Sequence, residues 1–542
     1  MKTNKALFCV LIAVGLPLIL TACLSTPGDA RAHTHQWSEW IQVSGDDATE
    51  ERVCKTDSTH IQTRLTGTDR FRFMAIDETA YSINSVSRLM TGEITIPAYY
   101  RPDADSEYLP VTEIENHAFL LRRDITTVTI SEGITSIGDG VFEDYTSLAS
   151  ISIPDSVISI GFRAFYNTAW LNSQPDGLVY AGKVLYTYKG TMPVNTIINN
   201  IRKDTIAIAD GAFLGYTNLT SIIIPEGVMF IGYQAFTGSG LTSITIPASV
   251  TEIGESVFSY CENLTSITLP AGITSIGLWA FQGCASLTSI TFPAGLTSIG
   301  SEAFIDCTSL ASISIPDSVT SIRSGAFFNT AWLNSQPDGL VYAGKFLYTY
   351  KGTMPANTVI SNIRSDTIAI ANWAFRNCTN LASITIPLSV RFIGQFAFSH
   401  CTSLTSITIP ETLTIIDIGA FAGCERLTSI TVDVNNPNYA SEEGILYNKA
   451  KTTIFAYPSA NGNVTISSTV TSVGNFAFDQ CTNITNITIP ASVTSVGEGA
   501  FYHWIASQTI NVLGHASQAA ADAAWGSGWR NGCNATINYL GS

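Results

Sequence analysis

Cysteine is the residue type whose spacing first suggests chemistry in this chain of 542 residues. Two series recur at one constant spacing, and one further cysteine keeps their position: Cys261, Cys284 and Cys307; Cys378, Cys401 and Cys424; and Cys481. Segments stacked about 4.8 Å apart would bring neighbouring cysteines within disulfide distance. Elsewhere, however, other side chains occupy the same position: Tyr145, Thr168, Tyr216, Ser239, Thr330 and Trp504. Such a position serves packing, so we predict free, buried thiols.

Potential metal ligands cluster near the N terminus, at His33, His35, Cys54 and His60. Imidazole and thiolate groups are zinc ligands. The segment has no Cys-x-x-Cys pair, and its spacing matches no strong zinc pattern. We therefore favour a small β-ribbon around Trp37 and Trp40, and keep the metal site as the weaker alternative.

Motifs of catalysis and cofactor binding are missing from the sequence. It contains no His-Glu-x-x-His, no Gly-x-Ser-x-Gly, no phosphate-binding P-loop and no dinucleotide fingerprint after a strand. Its seven histidines are spread over the whole chain, and its acidic residues do not recur in pairs. We predict a protein that is not an enzyme and needs no cofactor.

The cysteine spacing belongs to a complete repeat unit, of which residues 261–283 are a clear copy. Ile267 and Leu269 alternate with polar residues, which is the period of a strand. Pro270 cannot donate to a ladder and ends that strand. An Ala-Phe pair or a close variant follows in every copy, here at Ala280 and Phe281. The unit thus predicts a strand that ends at Pro270, a bend after it and a turn around the Ala-Phe pair.

One such unit cannot be stable by itself. Burial of about six large apolar side chains contributes roughly 10–15 kcal/mol. Ordering the unit costs about 1.5 kcal/mol per residue, or about 35 kcal/mol in total. Units must therefore stack, so that their strands pair and their apolar residues form a continuous core. The sequence predicts a repeat solenoid that is mostly β, with short turns.

The pattern Leu-Thr-Ser-Ile-Thr-Ile-Pro-x-Ser-Val-Thr-Ser-Ile-Gly-x-x-Ala-Phe-x-x-Cys resembles the leucine-rich repeat of BspA-like (Bacteroides surface protein A-like) proteins, and in particular the repeats of spirochaete surface lipoproteins. The resemblance covers about residues 110–505. It implies a right-handed solenoid with a parallel β-sheet, short turns or 3-10 segments, and caps at both ends. It also implies display on a bacterial surface and adhesion, and it brings no catalytic residues.

The first residues of the sequence predict an export signal. Lys2 and Lys5 flank the start of an apolar run over 6–20, which is too short to span a membrane comfortably. Leu-Thr-Ala-Cys23 then resembles the bacterial lipoprotein box, which implies cleavage before Cys23 and acylation of that cysteine. Several acyl chains can hold a protein on a membrane. We expect a lipid anchor in the cell envelope, in the outer membrane and facing outward.

Charge narrows the range of partners. Charged residues make up 13% of the chain, and the net charge is −16. Nucleic acid binds basic patches, so the acidic composition argues against nucleic acid as a partner. It also argues against electrostatic docking on anionic lipid.

The expected organisation follows the repeats. It comprises a signal peptide at 1–22, a tether at 23–32, a small His/Trp/Cys module at 33–70, an N-terminal capping coil at 71–118, the solenoid at 119–505 and a C-terminal cap at 506–542.

Three insertions interrupt the solenoid, near residues 167–200, 329–362 and 433–463. The segment 167–183 recurs unchanged at 329–345, which indicates a duplicated block. Paired β-rich runs around a glycine predict hairpins. Loops of repeat proteins often bind partners. The binding candidates are the insertion aromatics Trp170, Tyr180, Tyr186, Tyr188, Trp332, Tyr342, Tyr348, Tyr350, Tyr447 and Tyr457. The alternative is that they only pack on the edge of the coils.

The outward strand positions predict a ladder of hydroxyl groups: Ser243/Thr245, Ser266/Thr268, Ser289/Thr291, Ser312/Ser314, Ser383/Thr385 and Ser406/Thr408. They either stabilise the sheet or meet an extended protein or glycan. The leading hypothesis is an adhesin or interaction scaffold whose partners are proteins or glycans of host cells, host matrix or other bacteria. The alternatives are a structural or periplasmic envelope scaffold and a glycan-binding protein.

The lipid anchor is directly testable. Mass spectrometry of the N-terminal peptide of the native protein is expected to show an acylated Cys23 as the first residue. An unmodified N terminus at another position would instead indicate a secreted protein without an anchor.

Overall fold

The computed structural model describes residues 41–42, 49–53, 61–65, 71–86, 90–102, 106–120, 124–458 and 462–541. The chain divides into two compact units, Met1–Pro175 with Val179–Val184 and Asp176–Leu178 with Leu185–Ser542. The described part of each unit is a solenoid of stacked coils, mostly strand with little helix. The predicted fold class is therefore confirmed.

Each regular coil contains two short strands and one turn. In residues 261–283 the strands are Ser266–Thr268 and Ser275–Ile276, and the turn surrounds Phe281. Equivalent strands of neighbouring coils pair in parallel, exactly one repeat apart, as Ile244 does with Ile267. We call the stack of first strands ladder A and the stack of second strands ladder B.

The first unit has a capped start. Its described strands are Ile41–Gln42, Thr49–Val53, Ile61–Leu65, Phe71–Ala75, Tyr81–Val86, Gly92–Ile96, Tyr99–Tyr100, Leu109–Ile114, Ile125–Ile130, Ser136–Ile137, Ser150–Ser152 and Ser159–Ile160. One short helix, α1, covers Ala169–Ser173. The strands Gly177–Ala181 and Val184–Lys189 follow where the chain passes from one unit to the other.

In the second unit, ladder A contains Thr196–Ile198, Leu219–Ile222, Ser243–Thr245, Ser266–Thr268, Thr358–Ile360, Leu381–Ile384, Ser406–Ile409, Ser429–Val432, Gly462–Thr465, Ile484–Ile489, Thr509–Leu513 and Thr536–Leu540. Ladder B contains Ala207–Ile208, Phe230–Ile231, Glu252–Ile253, Ser275–Ile276, Ser298–Ile299, Ser321–Ile322, Phe346–Lys351, Ala369–Ile370, Phe392–Ile393, Ile415–Ile416, Thr453–Ala456, Ser472–Val473 and Ser495–Val496. The remaining elements are the strands Gly339–Ala343, Tyr439–Glu442 and Ile445–Asn448, helices α2 (Ala331–Ser335) and α3 (Gln518–Trp525), and a 3-10 turn at Ser527–Arg530.

The N-terminal ribbon is continuous with the sheet of the first unit. Its strand Thr49–Val53 pairs antiparallel with Ile61–Leu65. Within the latter, Arg64 is in register with Tyr99 of the capping coil. The ribbon strands therefore pair with the capping sheet as well as with each other.

Phenylalanine rings fill the interior of the turns. Phe281 is fully buried, and its ring centroid lies 5.4 Å from that of Phe258 and 5.1 Å from that of Phe304, with nearly parallel planes. The backbone amide of Phe281 donates to the carbonyl of Ala303 in the next coil at 2.8 Å. Each turn is therefore bound to its neighbour by stacked rings and by hydrogen bonds of the backbone.

Two residues of each turn adopt left-handed backbone angles, one two positions before the phenylalanine and one two positions after it. Around Phe281 these are Trp279, with φ of 54°, and Gly283, with φ of 68°. Glycine accepts positive φ without a steric penalty, whereas other residues do so uncommonly. A Cβ atom on Gly283 would also lie 2.7 Å from the ring of Tyr260. The position before the phenylalanine thus admits a bulky side chain at a cost in backbone strain, whereas a side chain at Gly283 would also collide with the ring of Tyr260.

The C-terminal cap covers the last turn with aromatic residues. Helix α3 begins after Ser517, whose hydroxyl accepts a hydrogen bond from the amide of Ala520. Trp529 is fully buried, and its ring centroid is 6.1 Å from that of Phe501. Asp522 holds this arrangement, because it accepts from Trp529 Nε1 at 3.1 Å and pairs with Arg530.

The cysteine position supplies a hydrogen-bond donor. Cys284 Sγ donates to the carbonyl oxygen of Phe258 in the preceding coil at 3.1 Å, and other cysteines of the series repeat this bond. Where the position holds Trp504, its Nε1 donates to the carbonyl of Phe478 at 2.8 Å. Cys, Tyr, Trp, Thr and Ser share this ability to donate, which explains why they replace one another here. All eight described cysteines are free thiols.

Burial suppresses the reactivity of these thiols, because a thiolate is poorly solvated in the core. It raises the pKa of Cys261 to about 11 and the pKa of Cys307 and Cys424 to about 12. The pKa values of Cys284, Cys401 and Cys481 are raised for the same reason.

Removal of one ring from the core is expected to destabilise the array. Phe281→Ala should reduce the free energy of unfolding by about 3–5 kcal/mol, because transfer energy is lost and a cavity remains. The exposed substitution Thr268→Ala should cost less than about 1 kcal/mol. Chemical denaturation measures the free energy of unfolding of both variants. A larger loss for Thr268→Ala would mean that the buried and exposed faces of the strand have been assigned the wrong way round.

The thiols from Cys261 to Cys481 are expected to resist alkylation in the folded protein at pH 8, because their raised pKa values leave little thiolate. In denaturant without a reductant, all seven should react. Mass spectrometry counts the modified cysteines. Protection that persists in denaturant and disappears only with reductant would reveal disulfide bonds.

Candidate interaction surfaces

The outward face of ladder A is the most regular surface of the second unit. Ser266 and Thr268 are exposed, whereas Ile267 between them points inward and is 7% exposed. The register places Ser243 beside Ser266 and Thr245 beside Thr268. The other predicted ladder residues also point outward, and all of them are exposed except Ser383, which is half-buried: Ser289/Thr291, Ser312/Ser314, Ser383/Thr385 and Ser406/Thr408. The strand alternation was therefore predicted correctly.

Threonines that precede the strands of ladder A and of ladder B have a structural task. The hydroxyl of Thr265 donates to the carbonyl of Thr242 at 3.0 Å, and the hydroxyl of Thr297 donates to the carbonyl of Thr274 at 2.9 Å. Among the described residues, no such protein partner is found for the hydroxyls of Ser266 and Thr268. Ladder A therefore presents hydroxyl groups that can bind another molecule.

Aliphatic side chains interrupt the hydroxyl face beside the insertions. Ile197 is 64% exposed and Ile223 is 61% exposed on ladder A of the first block. Val359 takes the position of Ile197 in the second block, whereas Thr385 replaces Ile223. The predicted ladder of hydroxyl groups did not include these residues. The sequence could have revealed these residues, because each is apolar at a strand position that Ser or Thr fills in other coils.

The insertion aromatics are all at least half-buried. Four of them lie in the core: Tyr186, Trp332, Tyr348 and Tyr447. The others are half-buried: Trp170, Tyr180, Tyr188, Tyr342, Tyr350 and Tyr457. This burial favours the alternative that these residues pack against the coils.

Each insertion lacks the phenylalanine that marks the turn of a regular coil, and a hairpin tyrosine takes its place. Tyr350 lies one repeat length after Phe327, and its amide donates to Ala374 in the same way that Phe281 donates to Ala303. Tyr457 stacks on Phe478 with a centroid distance of 4.7 Å. The carbonyl of Tyr188 likewise accepts the hydroxyl of Tyr216 from the next coil. Each insertion thus adds a further coil to the stack rather than a loop outside it.

The second insertion is an antiparallel hairpin of Gly339–Ala343 and Phe346–Lys351. Its last residue holds the adjacent helix, because Lys351 Nζ donates to the carbonyl of Asn334 at 2.8 Å and also to that of Gln336. The third insertion repeats the contact, with Lys449 Nζ 2.6 Å from the carbonyl of Asn436. These lysines tie the hairpins to the segments that precede them.

The seven histidines include one pair that the sequence gave no reason to connect. His503 Nδ1 lies 2.9 Å from Asp479 Oδ1, and the Asp479 side chain is almost completely buried. The ring of His400 is 6.1 Å from that of His503. Burial raises the pKa of Asp479, while its hydrogen bond with His503 acts in the opposite direction. Gln480 Nε2 lies between the two imidazoles, 3.4 Å from His400 Nε2 and 3.3 Å from His503 Nδ1.

Metal binding finds no support in the described part of the chain, where no group of three His, Cys, Asp or Glu is arranged to hold an ion. The weak metal candidates His33, His35, Cys54 and His60 lie outside the residues whose side chains are described, as does the proposed lipidation site Cys23.

Comparisons with known proteins agree with this architecture. The family model for the BspA type leucine rich repeat region matches residues 110–175, 206–334, 348–461 and 448–521, together more than half of the chain. A search of curated proteins finds no match.

Solved structures with similarity to this chain are also leucine-rich repeat proteins. A leucine-rich repeat protein from Bacteroides ovatus is 20% identical, with a TM-score of 0.29, over 78% of this chain and 94% of that one. A leucine rich cell surface protein from Faecalibacterium prausnitzii is 23% identical, with a TM-score of 0.25, over 88% and 95%. The leucine-rich repeat protein of T. pallidum is 21% identical, with a TM-score of 0.22, over 45% and 90%. At these TM-scores, nothing about the function of this chain follows from the similarity. On the match of the family model, the chain belongs to the BspA type leucine-rich repeat family.

Proposed function

We propose that this protein is a surface-anchored scaffold that binds other proteins, and that it acts as an adhesin toward host matrix or other bacteria. The observation that carries the proposal is the exposed, uncharged hydroxyl face of ladder A. The register repeats the same pair of hydroxyls from coil to coil, as in Ser243 with Thr245 and Ser266 with Thr268. An extended partner could contact many equivalent positions at once, so weak contacts would add up.

The proposed anchor is the acylated Cys23, as in spirochaete surface lipoproteins, and the proposed location is the outer membrane. None of the helices in the described residues is long and apolar enough to cross a membrane. Lipid attachment is compatible with that finding. The proposal also includes the absence of catalysis, since binding by a repeated surface needs no reactive group.

Arginine substitutions on ladder A should weaken partner binding. Ser243→Arg, Ser266→Arg and Ser289→Arg together place three charges on the exposed face and leave the inward isoleucines untouched. The control carries the same charges at Ala248, Ala271 and Ala294, which follow the ladder A positions in the same coils and do not lie in the core. We expect binding to matrix proteins, glycans or neighbouring bacteria to fall about tenfold or more for the first variant only.

The measurement is a binding array with the purified protein, followed by titration of each positive partner. Equal binding by both arginine variants would remove ladder A as the contact surface. Protease treatment of intact cells tests the location, because only repeats that face outward are cleaved.

A further inference from the structure

One position of the turn carries bulky residues although the backbone there favours glycine. It lies two residues before the core phenylalanine and has positive φ in coil after coil. Glycine occupies it at Gly140, Gly211, Gly325, Gly419 and Gly499. Tryptophan occupies it at Trp373, with φ of 62°. A large residue in this region of backbone space is strained, and such strain persists where the side chain has a role.

The duplicated block shows that the coil can be built without this tryptophan. With the two copies aligned on their identical segments 167–183 and 329–345, Trp373 corresponds to Gly211 and Arg376 corresponds to Leu214. Both phenylalanines of the pair, Phe213 and Phe375, are fully buried in their turns. The side chains of Trp373 and Arg376 are therefore an addition to one copy that its core does not require.

Trp373 and Arg376 form a single surface feature. The Trp373 side chain is 37% exposed, and the guanidinium carbon of Arg376 lies 5.5 Å from the centroid of its ring. Such a cation–π contact orients the guanidinium group while leaving it in contact with water. Among the described residues, Arg376 has no carboxylate partner. Its charge is thus available to another molecule.

Other aromatic residues at this position have partners within the chain. Trp279 donates from Nε1 to Glu302 at 2.9 Å and is half-buried. Phe396 and Phe476 contact each other at 5.2 Å, with the Phe396 ring covering Gly419 between them. In the described coils, Trp373 alone of these four is exposed. Contacts within the chain therefore explain the aromatic side chains of Trp279, Phe396 and Phe476 at this position. They do not explain the exposed side chain of Trp373.

The charge of the surrounding segment favours an acidic partner. Residues 372–400 contain two basic residues, Arg376 and Arg391, and no acidic residue. The corresponding residues 210–238 contain two acidic residues, Asp210 and Glu226, and no lysine or arginine. This segment is locally basic in a chain whose net charge is −16. Opposite charge steers association and selects the partner.

We propose that Trp373 and Arg376 are the anchor of a docking surface for an acidic protein segment. Tryptophan and arginine are among the residues most enriched at the positions that dominate binding energy in protein interfaces. The indole would pack against an apolar side chain of the segment, and the guanidinium would form a bidentate contact with an adjacent carboxylate. The inference rests on the proposed scaffold function and adds to it a second surface, on the turns, with a stated kind of partner.

The duplicated block supplies matched variants. Trp373→Gly with Arg376→Leu introduces the residues that the other copy already carries, and the glycine removes backbone strain. The protein should therefore fold as well as the original. Trp279→Gly removes an aromatic residue from the same turn position and serves as the control. Gly211→Trp with Leu214→Arg tests whether the anchor can be built in the first block.

The experiment selects displayed random peptides on the purified full-length protein and measures the enriched peptides by fluorescence anisotropy. We expect them to combine Asp or Glu with an apolar residue. They should bind about tenfold or more weakly to Trp373→Gly/Arg376→Leu and unchanged to Trp279→Gly. Their affinity should fall as salt concentration rises. The Gly211→Trp/Leu214→Arg variant should bind more peptide per chain.

Several results would overturn the proposal. Enriched peptides that are neutral or basic, equal binding by the double variant, or no enrichment at all would each do so. Binding of a sulfated polysaccharide at this site without binding of acidic peptides would replace the protein segment by a glycan. The arginine variants of ladder A distinguish failure of this proposal from failure of the proposed scaffold function, because they test the scaffold function without changing Trp373 or Arg376.

Discussion

The stacking of one turn on the next is the interaction on which the whole array depends. A single coil cannot bury enough apolar surface to offset the entropy of ordering it, so its stability comes from its neighbours. Phe281 illustrates this dependence, because its ring lies between two other rings and its amide is bound to the following coil. Where a hairpin replaces a turn, a tyrosine such as Tyr350 restores the same backbone contact. The interior therefore tolerates little variation.

Variation is instead concentrated at positions that point outward. Along ladder A the outward residues are mainly Ser and Thr, so this face is neutral and nearly uniform. The turns differ much more, because their left-handed positions accept either glycine or a strained bulky residue. Trp373 and Gly211 stand at the same position of two duplicated coils. A repeat protein of this kind can thus change one contact surface without disturbing its core, which suits a binding scaffold better than a catalyst.

Strand residues and hairpin residues differed in how well they could be predicted. In a strand the side chains alternate with a period of two, so the inward Ile267 and the outward Thr268 followed directly from the pattern. Pro270 and the Ala-Phe pair marked the ends of the strand and turn. In the hairpins this periodicity stops, and no local pattern states which side of the chain meets the core. The aromatic residues there were candidates for binding, whereas Trp332 and Tyr348 are buried against Phe327.

The sequence by itself determined the solenoid, the stacking of its coils and the outward hydroxyl rows, because a fixed repeat with strand alternation has few ways to bury its apolar residues. Only the tertiary structure decided three other matters. It showed that the cysteine position supplies a hydrogen bond to the carbonyl of the preceding coil, as Cys284 does for Phe258. It showed that hairpin tyrosines such as Tyr350 and Tyr457 pack against the core. It also placed Trp373 and Arg376 together on the surface. Each of these depends on contacts between coils or on a turn geometry that no stretch of sequence specifies alone.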